Sequence, residues 1–431
     1  MSKPYSTYKD SGIEWVGAIP QHWSARPLFA LFKERDVVNE GNQEDNVLSL
    51  SYGRIIRRDV ESNFGLLPES FETYNIVEPL DIVLRLTDLQ NDKRSLRCGL
   101  VKERGIITSA YLTLESKGGV DSEYMFLLLH NYDIWKVFYG MGGGVRQSIK
   151  FDDLKRLPML EPPLEEQMAI KKFLNGKMRQ INDLIAKKER MIELLKEERT
   201  TIVNQAVTQG LDHNVEMRDS GIDWMVKIPK HWDLKDLKYV SRVNRFVLSE
   251  TTEEGYEFNY IDIGNVDLDD GFDRGEKIRF DSAPSRARRI VWEGDTIIST
   301  VRTYLKSVAH IEGDSRDLIV STGFAVVTPK DNFVPKFLYY VLRSERFVGR
   351  VCALSVGVSY PAINAVELSN VAVWYPKDKK EQQQIVDYLD GVLLKTKNVI
   401  GRLQKEIQYL KEYRTALISE TVTGKIDVRT S

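Results

Sequence analysis

KDSGIEWVGAIPQHW, Lys9 to Trp23, returns far downstream as RDSGIDWMVKIPKHW, Arg218 to Trp232. From Asp10 to Trp23, nine of fourteen positions are identical to those of the second copy. A motif repeated over such a distance predicts a duplicated architecture. Further recurrences keep nearly the same spacing. LEEQMAIKKFLNG from Leu164 is echoed by KKEQQQIVDYLDG from Lys379, setting Glu166–Gln167 over Glu381–Gln382 and Asn175–Gly176 over Asp390–Gly391. KEERTTIVNQAVTQGLD from Lys196 matches KEYRTALISETVTGKID from Lys411. More weakly, GVRQSIKFDDLKRL around Val145 lies over GVSYPAINAVELSN around Val358, with Leu154 opposite Leu368. The two halves share a frame, and their middles differ.

Each half ends in a strict periodicity. Steps of four and three visit Leu174, Met178, Ile181, Ile185, Lys188, Ile192, Leu195, Arg199, Ile202 and Ala206. The matching positions are Leu389, Leu393, Thr396, Ile400, Leu403, Ile407, Leu410, Arg414, Leu417 and Thr421. A largely apolar seam of period 3.5 sustained over several heptads predicts a coiled-coil helix. Pro162–Pro163 and Pro376 stand before these segments, and Gly210 and Gly424 follow them as candidate caps. An unbroken helix from Glu165 to Thr208 spans roughly 65 Å, with Asn175–Gly176 as a candidate kink. A seam needs a partner, and a twofold relation of the halves asks for antiparallel pairing of the two helices. Homodimerisation through the same seams, or burial in an ordinary core, are the alternatives.

Between the helices lie strand-like runs with turn signals: EPLDIVLRL and GIITSAYLTL in the first half, EGDTIISTV and LIVSTGFAVVTP in the second. SEYMFLLLHNYDIW and VPKFLYYVLRSERFV read as short helices. The expected class is α+β, two α/β globules alternating with two long helices paired as an antiparallel coiled coil. The expected boundaries are 1–160 and 211–375 for the globules, 161–210 and 376–431 for the helices.

Composition bounds the function. A chain of 431 residues exceeds what one hydrophobic core supports, and 42% hydrophobic residues is ordinary for a folded protein. The net charge of −2 is silent about nucleic acid, because only the contacting surface needs to be basic. Cys98 and Cys352 form no CxxC pair and read as small buried hydrophobes. No apolar run reaches membrane-spanning length and MSKPYSTYKD has no secretory apolar core, so a cytoplasmic location is expected.

Catalytic motifs are missing. GMGGG at Gly140–Gly144 lacks the GxGxxG spacing and reads as a turn. No GxxxxGK[ST] loop occurs, which argues against ATP hydrolysis. No [DNS]PP[YF] step occurs either, and EPPL at Glu161 lacks both the Asn-type residue and the aromatic. The five histidines do not cluster at metal spacing, so no metal site is expected. His22 and His231 read as packing and hydrogen-bonding residues, because no acid or cysteine recurs beside them in sequence. Basic clusters in the divergent middles are more telling. They comprise Arg54, Arg57 and Arg58; Lys93, Arg94 and Arg97; Arg286, Arg288 and Arg289; and Arg302, Tyr304 and Lys306. Arginine forks match guanine O6/N7 and phosphates, so basic loops flanked by aromatics suit duplex DNA; solvated surface charge is the alternative for any one of them.

DSGIxWxxxIPxHW at each globule, EQxxIxx[FY]L at each helix start and KExRT…VTxG at each helix end together resemble the specificity subunit of type I restriction–modification systems. LTDLQNDKRSLRCGLV and GDTIISTVRTYLKSVA resemble its target recognition domains. The resemblance covers nearly the whole chain. It implies a non-catalytic subunit in which each globule reads one half of a bipartite asymmetric site in double-stranded DNA and the helices set the gap. It further implies two modification subunits, which bind S-adenosylmethionine and methylate adenine N6, and restriction subunits using ATP and Mg. Under this reading the chain carries no cofactor of its own. Arg199 and Arg414, at equivalent seam positions, are expected to pair with acids or with the modification subunits. The rival readings are a fused methyltransferase, opposed by the missing [DNS]PP[YF] step, and a coiled-coil adaptor without DNA affinity.

Overall fold

The computed structural model describes residues 3–58, 70–89, 96–141, 148–267 and 271–429, apart from the side chain of Val226. Two helices dominate, Leu164–Gln209 with 46 residues and Lys379–Val422 with 44. Both are slightly longer than the periodicity alone suggests, and both continue through their Asn-Gly or Asp-Gly step without a break. Ile181, Ile185, Ile400, Leu403 and Ile407 are 6–8% exposed, and Ile192, Leu195 and Leu410 are half-buried. Leu184, Met191 and Leu194, off the seam, are exposed.

The chain divides into two compact units, Met1–Lys188 with Lys405–Ser431, and Glu189–Gln404. Each unit therefore holds the start of one long helix and the end of the other. In the first unit Lys188 pairs with Glu406, and Arg414 Nη1 donates to Asn182 Oδ1 at 2.8 Å. One residue number falls as its partner's rises, so these segments run antiparallel. In the second unit Val203, Ala206 and Val207 share a core with Ile385, Val386 and Leu389.

The first unit's globule contains a four-stranded antiparallel sheet in the order Phe32–Glu34, Leu112–Ser116, Ile82–Leu84, Cys98–Leu100. The second repeats it with Ser241–Val243, Phe324–Pro329, Thr296–Ser299 and Val308–His310. Ile82–Leu84 and Thr296–Ser299 are buried on both faces, which suits their β-branched runs. The helices Ser122–Ile134 and Pro335–Leu342 follow, joined in the second unit by Glu345–Leu354. Ser24–Pro27 pairs with Pro158–Glu161, and Trp232–Asp236 with Ala372–Pro376, tying the two ends of each globule together.

The divergent middles build different additions. The first unit has the hairpin Leu48–Ser51 with Arg54–Arg57 and the pair Asn75–Val77 with Gly105–Ile107. The second has a mixed sheet in the order Glu276–Arg279, Glu257–Ile261, Leu318–Ser321, Ala287–Ile290, whose central pair is parallel. Cys98 is buried, Cys352 is half-buried, and neither forms a disulfide.

Both opening motifs are hairpins, Tyr8–Asp10 with Ala18–Pro20 and Met217–Ile222 with Met225–Pro229. Trp23 and Trp232 are buried behind them. The long helices end on these tryptophans. Gly424 has φ +73, and its N–H bonds Thr421 O at 3.2 Å while Lys425 N–H bonds Glu420 O at 2.7 Å, a Schellman ending. A Cβ on Gly424 collides with the Pro20 ring and comes within 3.1 Å of Trp23. On Gly210, φ +78, the nearest atom is Trp232 Cζ2 at 3.5 Å. Gly424→Ala is thus expected to cost about 2 kcal/mol or more, and Gly210→Ala about 1 kcal/mol from its backbone alone. Thermal melts of the two variants check the order; equal shifts contradict it.

Candidate nucleic-acid interface

The duplicated motifs meet in space. In the first unit the Glu166 carboxylate accepts from Trp23 Nε1 at 3.0 Å and from the Tyr5 hydroxyl, and lies 2.7 Å from His22 Nε2. Burial and this carboxylate push the Tyr5 phenol well above its ordinary range, so the hydroxyl stays a donor. Gln167 donates to Pro162 O at 2.8 Å, and its Oε1 accepts from Asp121 N at 2.9 Å. Asp121 in turn caps the helix Ser122–Ile134 through Tyr124 N.

The second unit repeats the arrangement. Trp232 Nε1 donates to Glu381 Oε1 at 2.9 Å, and His231 Nε2 lies 2.9 Å from Glu381 Oε2. Gln382 donates to Pro376 O at 2.9 Å and accepts from Val334 N at 2.8 Å, at the head of the helix Pro335–Leu342. The Glu–Gln step is therefore the node that fastens the opening hairpin, the short helix and the long helix. Each histidine hydrogen-bonds a glutamate, contrary to the expectation that no acid stands beside it. An acid does recur beside each, supplied by the fold from the other end of the globule.

The basic candidates form four clusters. Arg54 and Arg57 are exposed on the hairpin strand and Arg58 is half-buried. Arg57 Nε donates to Asn46 Oδ1 at 2.7 Å and Nη2 lies 3.6 Å from Glu103. Tyr52, unselected from sequence, sits at the hairpin tip, 87% exposed, where it and Gly53 both have positive φ. That Tyr-Gly turn between two strand runs was its available signal. Arg286 precedes the strand Ala287–Ile290, and Arg288 and Arg289 lie within it. Arg286 pairs with Asp262 at 2.5 Å, Arg288 lies 4.8 Å over the Phe280 ring, and burial lowers the pKa of Arg289.

Arg302, Tyr304 and Lys306 come together on one exposed turn. Lys93 and Arg94 lie outside the described residues, as do 142–147 of the GMGGG segment. Arg97 is a correction. It is fully buried, its guanidinium donating to Arg85 O at 3.2 Å, Thr87 O at 2.8 Å, Asp88 O at 3.3 Å and Tyr139 Oη at 3.1 Å. A five-donor side chain wrapped by carbonyls holds a loop together and presents nothing to a duplex. Arg414 binds Asn182 rather than an acid, and Arg199 is buried. Among the described residues no group of three or more His, Cys, Asp or Glu is placed to hold a metal, and no helix is long and apolar enough to cross a membrane.

Two globules on a common frame, each fastened to long-helix segments, define a duplicated α+β protein with two long helices. Residues 229–409 match the family model "Type I restriction modification DNA specificity domain". The type I restriction enzyme MjaVIII specificity subunit of Methanocaldococcus jannaschii is 25% identical over 76% of each chain. The HindI specificity subunit of Haemophilus influenzae is 27% identical over 33% of this chain and 32% of its own. Among solved structures, a chain from work on complex assembly and conformational transition of the type I R-M system matches with TM-score 0.69 and 15% identity, covering 94% of this chain and 98% of that one. The HsdS subunit from Thermoanaerobacter tengcongensis matches with TM-score 0.53 and 16% identity, covering 95% and 98%. In sequence and fold the chain is thus similar to the specificity subunits of type I restriction–modification systems.

Proposed function

We propose that the chain is the non-catalytic subunit that gives a type I complex its DNA sequence. Each globule reads one half of a bipartite, asymmetric site, and the long helices, paired antiparallel along their seams, set the unspecified gap. Two modification subunits dock along these helices and supply S-adenosylmethionine and adenine N6 methylation; restriction subunits add ATP- and Mg-dependent cleavage. The observation that carries this reading is the pair of equivalent Glu–Gln junctions bearing unlike basic surfaces. Identical fastening with different faces is what reading two different half-sites on a pseudo-symmetric duplex needs. Phosphate contacts from exposed Arg and Lys position the protein, and fork contacts to base edges specify the sequence.

The test is an exchange. Residues 24–158 are replaced by the corresponding region of a relative, the chain is combined with its modification subunits, and methylated adenines are mapped. One half-site changes and the other stays. If both change, the division of one globule per half-site is wrong.

A further inference from the structure

Two segments of the second unit, far apart in sequence, meet at one exposed surface. The turn Arg302–Lys306 is closed by Leu305 N to Arg302 O at 2.9 Å and Lys306 N to Thr303 O at 3.0 Å. Arg302 and Lys306 both hold left-handed backbone, φ +51 and +54. Such backbone costs a side-chain-bearing residue of order 1 kcal/mol, so it persists only where surroundings fix it. Here Thr303 is buried, its hydroxyl donating to Ser355 Oγ at 2.8 Å. The second segment, Val356 to Ala362, closes on itself through bonds of 2.9 and 3.0 Å and bridges to Val301. Gly357 holds φ +122, backbone that favours glycine, and a Cβ there would sit a tight 3.1 Å from Tyr360 O.

This surface is unlike ordinary solvated charge. Val358 is completely exposed, and Tyr304 and Tyr360 are 55% and 64% exposed. The Arg302 guanidinium lies over the Tyr360 ring at 4.7 Å. Neither segment, from Thr300 to Ser307 and from Ser355 to Asn364, contains an acidic residue. A stacked guanidinium keeps its donors in one plane while the ring shields one face from water. A narrow β-bridged ribbon is also an element that the ~12 Å major groove of B-DNA admits.

We propose that Arg302, aligned by Tyr360, reads a guanine in the half-site of the second unit, with Val358 against a neighbouring apolar base edge. Lys306 contacts a backbone phosphate. This rests on the reading of the chain as a DNA-specificity subunit and adds to it the residues that discriminate. Val358 and Tyr360 enter only through the fold, which brings their segment to the Arg302 turn.

The test uses the full chain with its modification subunits and a pool of randomised duplexes, from which the wild-type complex selects two half-sites. Arg302→Gln is expected to lose guanine preference at one position of one half-site, by about ten- to a hundredfold, with the other half-site intact. Tyr360→Leu weakens the same position, and Lys306→Ala lowers affinity for all sequences while reducing the salt slope by about one. Retention of the remaining positions of the same half-site serves as the folding control within each variant. If Arg302→Gln selects both half-sites unchanged, this assignment is wrong while the specificity reading stands. If it loses both, Arg302 supports assembly rather than reading, and the assignment is equally wrong. A wild-type complex that selects no sequence overturns both.

Discussion

Glu166→Ala is expected to destabilise the first unit by about 3–5 kcal/mol, the range for removing one partner of a buried charged network. The Glu166 side chain is only 4% exposed. It is the common acceptor for the Trp23 indole, the Tyr5 hydroxyl and His22. Removing it strands two buried donors, each worth about 1–3 kcal/mol when left without an acceptor. Glu381→Ala makes the contrast. The Glu381 side chain is 28% exposed, and Asn214 stands where the repeat places the counterpart of Tyr5. Water reaches what is left, so the loss should be nearer 1–2 kcal/mol. Amide hydrogen exchange on the full chain reads both. Glu166→Ala lowers protection in Ser122–Ile134 and the start of the first long helix, and Glu381→Ala lowers it less in Pro335–Leu342. Equal losses in the two units mean that the network does not work as described.

This junction also marks the limit of sequence reasoning. The motifs IPxHW and EQ were both visible as repeats, and their recurrence at nearly equal spacings, 209 and 215 residues, marked the duplicated frame. Their mutual contact was not visible, because His22 and Glu166 are 144 residues apart and only strand pairing such as Ser24–Pro27 with Pro158–Glu161 closes that loop. Local patterns fared best where structure is local. The 3.5-residue seam located both long helices, and the β-branched runs located Ile82–Leu84 and Thr296–Ser299. The division of each helix between two units left no trace, since the heptads run through Lys188–Glu189 without interruption. Charge was the weakest guide. Arg97 and Arg302 look alike in a string of letters, yet carbonyl oxygens surround one and a tyrosine face supports the other. What separates them is long-range closure of loops, which residue type does not encode.

The seam itself yields the other large effect. Ile185→Asp and Ile400→Asp place a carboxylate at equivalent points of the two long helices, one in each unit, where the native side chains are 7% and 8% exposed. Ile185 lies between the two contacts that fix the antiparallel register of the first unit, Asn182 with Arg414 and Lys188 with Glu406. The nearest seam cations, Lys188 and Arg414, already bind Glu406 and Asn182, so a carboxylate buried there lacks a partner of its own and costs on the order of 3–5 kcal/mol. Ile185→Ala separates the lost packing from the charge, at about 2–4 kcal/mol, and Ile185→Leu should stay within about 1.5 kcal/mol. Thermal melts of the four variants, with size-exclusion chromatography of the complex with modification subunits, decide the matter. Full assembly and unshifted melting for Ile185→Asp and Ile400→Asp would sink the paired-seam arrangement.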